Sequence, residues 1–347
     1  MPESFIESSM SKIASPLSPT PSSHVRVSED LAFEVPLRPQ SLDEFVGQDA
    51  LRERLEVFLG AAKQRGEALG HCLFSGPPGL GKTTLANILS KSMGTQLVVI
   101  SAPVLEKAGD LAGILTKLND GDVFFIDEIH RLSRTIEEYL YQAMEDYTLD
   151  LVIDSGPAAR SVRVPLKRFT LAAATTRSGM LTAPLRTRFA FTCRLEYYSA
   201  ETLQCILERT SRLLNFSINQ DALYEIARRS RGTPRIANHL LRWVRDYAQM
   251  KSGGVGNFQT VSKALEMLAI DEKGLDEMDK KILEVLIHHY EGSAVGLKTL
   301  SVAVGEEPGT IEEVYEPYLI MQGMIKRTPQ GRQATPLAYS HLGLKYE

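Results

Sequence analysis

From about Pro36 to Tyr198 the chain alternates short apolar runs with stretches whose apolar residues recur at helical spacing. Cys72 to Ser75, Leu97 to Ser101, Val123 to Asp127 and Phe169 to Ala174 read as buried strands, consistent with central positions in a parallel sheet between helical layers. The expected class is α/β. After Ser199 the strand signal stops. Thr202 to Leu213, Asp221 to Ser230, Pro234 to Met250 and Val261 to Leu268 each have helical periodicity, which predicts a small all-helical domain. Asp271-Glu272-Lys273-Gly274 marks a boundary to a third unit. There an amphipathic helix from Met278 to Tyr290, a short helix from Leu297 to Val304, a turn at Gly305 to Gly309 and a helix from Thr310 to Gln322 lead into a hairpin around Pro329-Gln330-Gly331. Three helices and a hairpin suggest a winged helix, although a plain packing domain can show the same pattern. The expected divisions are a tail at 1–35, a large domain at 36–198, a helical domain at 199–271 and a head at 272–347.

Composition narrows the class without changing that outline. With 347 residues, 43% hydrophobic and 24% charged, the chain can build two or three cores. No apolar run approaches the roughly 18 residues of a membrane span, so no membrane is expected. The first 30 residues hold nine Ser and four Pro, with no cationic start and no long apolar stretch, and are expected to be a disordered tail. Three cysteines without a C-x-x-C pair give neither a disulfide framework nor zinc spacing, which suits a reducing cytoplasm. A net charge of −4 argues against a surface coated with cations for nucleic acid, so local charge matters more.

The chemistry begins at Gly76-Pro77-Pro78-Gly79-Leu80-Gly81-Lys82-Thr83, a G-x-x-x-x-G-K-T loop between a predicted strand and a predicted helix. Its glycines let backbone N–H groups turn onto a phosphate, Lys82 reaches the β- and γ-phosphates, and the Thr83 hydroxyl can ligate Mg²⁺. Val123 to Ile126 ends in Asp127 and Glu128; the first acid is placed to hold the Mg²⁺ shell and the second to orient and polarise the attacking water. Thr175-Thr176 at the end of another strand could sense the γ-phosphate or could merely cap a turn. Arg186 and Arg188 could stabilise charge from a neighbouring subunit or be ordinary surface arginines. Gly232-Thr233-Pro234-Arg235 starts a helix with proline in its first turn, so Arg235 could point at a nucleotide held between the first two domains. No N-K-x-D sequence occurs, which makes adenine the expected base. In the third unit Glu312, Glu313 and Glu316 would repel phosphate from the helix that normally enters the major groove. Lys326, Arg327 and Arg332 on or beside the hairpin would instead read the DNA backbone without regard to sequence.

These motifs together resemble the AAA+ ATPases, and within them the RuvB family of Holliday-junction branch-migration motors. Arg38-Pro39 before Phe45-Val46-Gly47-Gln48, then GPPGLGKTTLAN at 76–87, VLEKAGDL at 104–111, FIDEIHRL at 125–132, AMEDY at 143–147, GPAAR at 156–160 and RGTPRIAN at 231–238 carry the resemblance. Glu316-Pro317-Tyr318-Leu319-Ile320 and Arg327-Thr328-Pro329 extend it into the head. It implies a RecA-like AAA+ P-loop ATPase domain, a helical lid and a C-terminal winged-helix domain, assembled as a homohexamer around duplex DNA and driven by ATP and Mg²⁺. The site residues it implies are Leu37 and Arg38 on the adenine side, Gly79, Leu80, Gly81, Lys82, Thr83 and Thr84 on the phosphates, and Tyr198 near the lid junction. It also implies Thr176 as sensor 1, Arg235 as sensor 2 and Arg188, rather than Arg186, as the arginine finger acting in trans. Asp146 and Tyr147 would face the neighbour's nucleotide. The segment from about 149 to 167 resembles an inserted β-hairpin that docks RuvA, and its Leu151, Val152, Ile153 and Val162 would need such cover. RuvC, in a resolvasome, is a further implied partner.

Two positions depart from the family pattern: Gln330 stands for an arginine of the R-T-P-R-G-R wing, and Thr187 for the acid of R-D-R-F. The expected activity is ATP hydrolysis coupled to DNA translocation at Holliday junctions. The alternatives are a clamp-loader-like AAA+ ATPase, whose C-terminal region would be an oligomerisation collar, and a regulatory DNA-binding protein with a nucleotide switch. Intact Glu128 and Arg188 weigh against the last.

Overall fold

The computed structural model describes residues 35–152 and 161–346. Its contacts divide into two units, Met1–Leu37 and Arg38–Glu347, and the second holds all of the strands below. The expected tail, apart from Val35, and the hairpin turn at Ser155-Gly156-Pro157 lie outside the described residues. The described strands are β1 (Cys72–Ser75), β2 (Leu97–Ser101), β3 (Val123–Asp127), β4 (Thr148–Val152), β5 (Ser161–Pro165), β6 (Thr170–Thr175), β7 (Phe191–Arg194), β8 (Ile325–Thr328) and β9 (Gly331–Ala334).

A five-stranded sheet has the order β2-β3-β6-β1-β7, with every pairing parallel. Alternating side chains feed two cores. Phe74, Phe125, Ala172 and Ala174 face Leu85, Ile88 and Leu89 of the helix Lys82–Met93. Leu73, Phe124, Ile126, Leu171 and Ala173 face the helices Ala108–Leu115 and Arg134–Asp146. Burial on both faces makes these runs almost wholly apolar, which is why they are legible as strands.

The edges differ from expectation. β2 is not central: it borders the sheet, with Val99 53% exposed. On the opposite edge β7 adds a strand that Phe191-Thr192-Cys193-Arg194 does not announce, because an edge strand needs no continuous apolar run.

The lid consists of the helices Ala200–Leu213, Gln220–Arg228, Pro234–Lys251 and Phe258–Met267. Its Leu203, Leu207, Ile226 and Leu241 belong to the same apolar cluster as Phe74 and Leu85, so lid and sheet share a core. The head has a core of its own, built on Ile282, Leu286, Leu300, Leu319 and Ile325. There the helix Glu277–Glu284 opens with a reciprocal cap between Asp276 and Asp279, then widens into a π turn at Val285–His289. The expected helix from Thr310 to Gln322 is broken into Pro308–Thr310, a π turn at Ile311–Tyr315 and Glu316–Met321. Pro317 accounts for the break, since it lacks an N–H and its ring crowds the carbonyl of Glu313. β8 and β9 form the wing, and Val295 bridges to Arg332 as a third short rung.

The inserted hairpin pairs β4 with β5 in antiparallel register. Leu149 is fully buried and Leu151 packs against the second core, so Leu151 is less exposed than the sequence suggested; Val162 is 44% exposed. Arg163 grips Asp150 with two bonds of 2.8 and 3.0 Å. The side chains of Val152 and Ile153 lie outside the described residues.

Candidate active site

The loop after β1 is shaped by Gly76, Gly79 and Gly81, all in the positive-φ range at 133, 78 and 107°. A side chain at Gly79 would meet Thr233 Cγ2 at 2.7 Å and Arg235 Cβ at 3.1 Å, so only glycine lets loop and lid approach this closely. Gly81 caps the helix Lys82–Met93 without a side chain, which leaves the first amides of that helix aimed at an anion. Lys82 is buried, and its Nζ donates to the carbonyls of Gly76 and Pro77 at 2.7 and 2.8 Å. Burial lowers its pKa and the Arg235 charge lowers it further, while Glu128 and Asp127 oppose the shift. Leu80 is fully buried, Thr83 is half-buried at the first turn of the helix, and Thr84 is buried behind it.

Asp127 ends β3, and burial, with Glu128 beside it, raises its pKa. Glu128 takes a left-handed backbone, φ 51°, a conformation that a glutamate holds only under constraint. Its Oε2 accepts from the Thr176 N–H at 3.1 Å and from Thr176 Oγ1 at 3.0 Å. His130 Nδ1 lies 3.2 Å from the same oxygen and 2.9 Å from Thr175 Oγ1. Thr175 and Thr176 therefore do more than cap a turn. His130 escaped the sequence reading; its signal was its place two residues beyond Glu128, within reach of the same carboxylate.

The lid closes over this loop. The Arg235 N–H meets Gly79 O at 3.4 Å, and the Arg235 charge reaches both Lys82 and Asp127. Tyr198 is buried; its hydroxyl donates to Leu80 O at 3.2 Å and its N–H to Gly232 O at 2.9 Å. It braces loop and lid together. Leu37 ends the first unit and Arg38 begins the second, where the Arg38 carbonyl accepts from Gln40 Nε2 at 2.7 Å.

A nucleoside triphosphate fits this chemistry: the left-handed glycine loop, the helix amides and buried Lys82 all suit phosphate. Thr83 and Asp127 are hard oxygen donors, as Mg²⁺ prefers, and few protein ligands suit an ion that keeps phosphate and water in its shell.

Other predicted residues sit elsewhere. Arg188 follows the short helix Ala183–Thr187 and precedes β7, at the amino end of the parallel strands; the loop Gly76–Gly81 leaves their carboxyl end. Its guanidinium donates to Glu145 at 2.7 Å and Pro184 O at 2.6 Å and stacks 5.0 Å from the Tyr141 ring. Its buried Nε has no hydrogen-bond partner. Arg186 donates to Ser178 O at 2.6 Å. Asp146 is exposed, and Tyr147 packs on Phe169 and His71 at the same amino end.

The wing arginines also have an internal partner. Arg327 and Arg332 were expected to face phosphate, but both close on Glu316, which is fully buried beneath them. Arg332 donates to it at 3.0 and 3.2 Å and is 13% exposed, whereas Arg327 remains 51% exposed and Lys326 is exposed. Glu316, expected to repel phosphate, is thus an internal anchor, because a charged carboxylate is buried at low cost only when it is paired. Glu312 and Glu313 are likewise engaged, by Arg177 of the ATPase domain.

Among the described residues no helix is long and apolar enough to cross a membrane. The family model of the Holliday junction DNA helicase RuvB P-loop domain matches residues 37–195, that of the RuvB AAA lid domain matches 198–271, and that of the RuvB C-terminal winged helix domain matches 272–343. The Holliday junction branch migration complex subunit RuvB of Protochlamydia amoebophila is 63% identical over 342 residues, covering 99% of this chain and 98% of the relative. The protein of the same name from Chlamydia pneumoniae is 60% identical over 314 residues, covering 90% and 93%. The solved Thermotoga maritima RuvB Holliday junction branch migration motor is similar at a TM-score of 0.82 and 48% identity, over 90% of this chain and 99% of that one. From the glycine loop to the wing, the geometry and these matches agree that the chain belongs to the RuvB family of AAA+ ATPases.

Proposed function

We propose that this chain is the ATP-hydrolysing subunit of a motor that drives branch migration of Holliday junctions together with RuvA. The observation that carries the reading is the convergence of Lys82, Asp127, Glu128 and Thr176 on the loop at one end of the sheet, with Arg235 brought to it by the lid. The working divisions are the ATPase domain at 36–198, the lid at 199–271 and the head at 272–347.

ATP lies between ATPase domain and lid, with its adenine side toward Arg38 and its phosphates on Gly79 to Thr84. Thr83 and Asp127 would hold Mg²⁺, which when bound would neutralise charge on the transferred phosphate. Glu128 orients the attacking water and accepts its proton, and Thr176 fixes the carboxylate from which it acts. Arg235 senses the γ-phosphate and ties it to the lid, while Tyr198 fixes the lid to Leu80.

Arg188 faces away from its own loop and completes the site of a neighbouring copy, with Asp146 and Tyr147 beside it, in a homohexameric ring. The head meets duplex DNA through Lys326 and Arg327, while Arg332 holds Glu316 in place beneath them. The hairpin β4–β5 docks RuvA, RuvC joins in a resolvasome, and the cytoplasm is the setting. A clamp loader would need a collar where this chain has a winged helix.

The test is a purified mixture of this chain, RuvA, ATP and Mg²⁺ acting on a synthetic four-way junction. Movement of the branch point is expected; an immobile junction while ATP turnover persists contradicts the reading.

A further inference from the structure

Arg177 follows Thr176 on the loop leaving β6, and its side chain crosses to the head. The guanidinium pairs with Glu313 and lies 3.6 Å from Glu312 Oε2. Its own N–H donates to Thr175 Oγ1 at 3.0 Å, the hydroxyl that meets His130 Nδ1 at 2.9 Å. Thr176 and His130 in turn surround Glu128 Oε2. A small displacement of Arg177 therefore moves groups that hold the carboxylate acting on water.

On the head side Glu312 is shared. Its Oε1 lies 3.5 Å from the Arg327 guanidinium and 3.7 Å from that of Arg332, while its Oε2 faces Arg177. One carboxylate thus looks toward the wing with one oxygen and toward the sensor loop with the other. Both wing arginines also rest on buried Glu316, but Arg327 is 51% exposed and can turn to an external phosphate. When it does, Glu312 loses a cation on the wing side and its charge falls more fully on Arg177.

We propose that Arg177 is a positioning residue through which the wing, on meeting duplex phosphate, sets the geometry of Glu128. The inference rests on the DNA-motor reading above. Arg177, Glu312 and Glu313 are 36, 35 and 52% exposed, so the bridge is a weak, solvent-accessible pair suited to being tightened and released in each cycle. The second joint between nucleotide-sensing elements and head is of another kind. There Arg231, four residues before Arg235, pairs with fully buried Asp279 and stacks 5.1 Å from the Tyr318 ring. That joint holds, and the Arg177 joint transmits.

The test is steady-state ATP turnover of the full chain with and without linear duplex DNA, the duplex at saturation so that altered affinity drops out. Glu313→Arg should leave the DNA-free rate within about twofold and lower the stimulation by duplex about threefold, the scale of an exposed ion pair. Arg177→Glu should lower the stimulation as well, and the double variant with the charges exchanged should regain at least half of it. Glu313→Gln, a mild change at an exposed position, should show a loss in the same direction. Full stimulation in Glu313→Arg or Glu313→Gln, or a folded double variant as uncoupled as the singles, would overturn the proposal. Absence of duplex stimulation in the unaltered chain would instead overturn the motor reading beneath it.

Discussion

At the carboxyl end of the five-stranded sheet, cationic and acidic groups converge on one glycine loop, whereas at the amino end Arg188, Tyr141 and Tyr147 are braced around a surface that faces elsewhere. β1 has four residues, so the two ends stand about 13 Å apart along the strand. On the proposed function the carboxyl end binds phosphate and activates water. The amino end holds an arginine whose hydrogen bonds fix it in place, with one buried nitrogen unmatched. On the proposed function neither end is complete for phosphoryl transfer by itself, and Arg188 is the group that the carboxyl end lacks. On that reading the fold divides the chain's chemistry between its two ends, and a second copy would rejoin it.

Damage at either end should abolish turnover for different reasons. Arg188→Ala is expected to slow hydrolysis about 10³-fold or more, the scale of an arginine finger. Glu128→Gln should slow it at least about 10²-fold. Both should still bind ATP, which equilibrium titration with a fluorescent analogue checks; lost binding in Arg188→Ala would place that arginine in its own chain's site.

A smaller effect belongs to the carboxyl end alone. Gly79→Ala forces a left-handed alanine and puts its Cβ 2.7 Å from Thr233, at a cost of about 1–3 kcal/mol. ATP affinity should fall about tenfold or more by the same titration. Gly109→Ala, where nothing lies within 4 Å, should leave it unchanged.

The smallest effect lies away from both ends, in the buried head joint. Burial pushes the Asp279 carboxyl from 3.8 up to about 7, although Arg231 pulls it down. The folded state then binds the proton more tightly than the unfolded state. The group's contribution is fully present below pH 3.8 and is lost as pH rises through about 7. Asp279→Asn should flatten that part of a Tm-against-pH curve; an unchanged slope would assign the dependence to other groups.

How much of this was legible in the sequence follows the range of the forces involved. The glycine loop, Asp127 and Glu128 were readable because strand, turn and helix signals are local and adjacent. Thr176 was readable only as one of two options, since its contact with Glu128 spans 48 residues. β7 and the edge position of β2 were hidden, because neighbours in a sheet are chosen by tertiary packing. The inward turn of Arg332 depended on burying Glu316, which looked like one more surface acid in a helix. Arg177 bridges 136 residues to Glu313, and no spacing pattern announces such a pair.

If one catalytic site is shared between two copies, two inactive variants should rescue each other when mixed. Glu128→Gln and Arg188→Ala are purified separately, mixed under conditions that allow subunits to exchange, and assayed for ATP turnover. A shared site predicts that activity returns well above either variant alone, since the intact Glu128 of one copy meets the intact Arg188 of the other. Turnover that stays at the level of the separate variants, with mixed assemblies shown to form, would contradict the account.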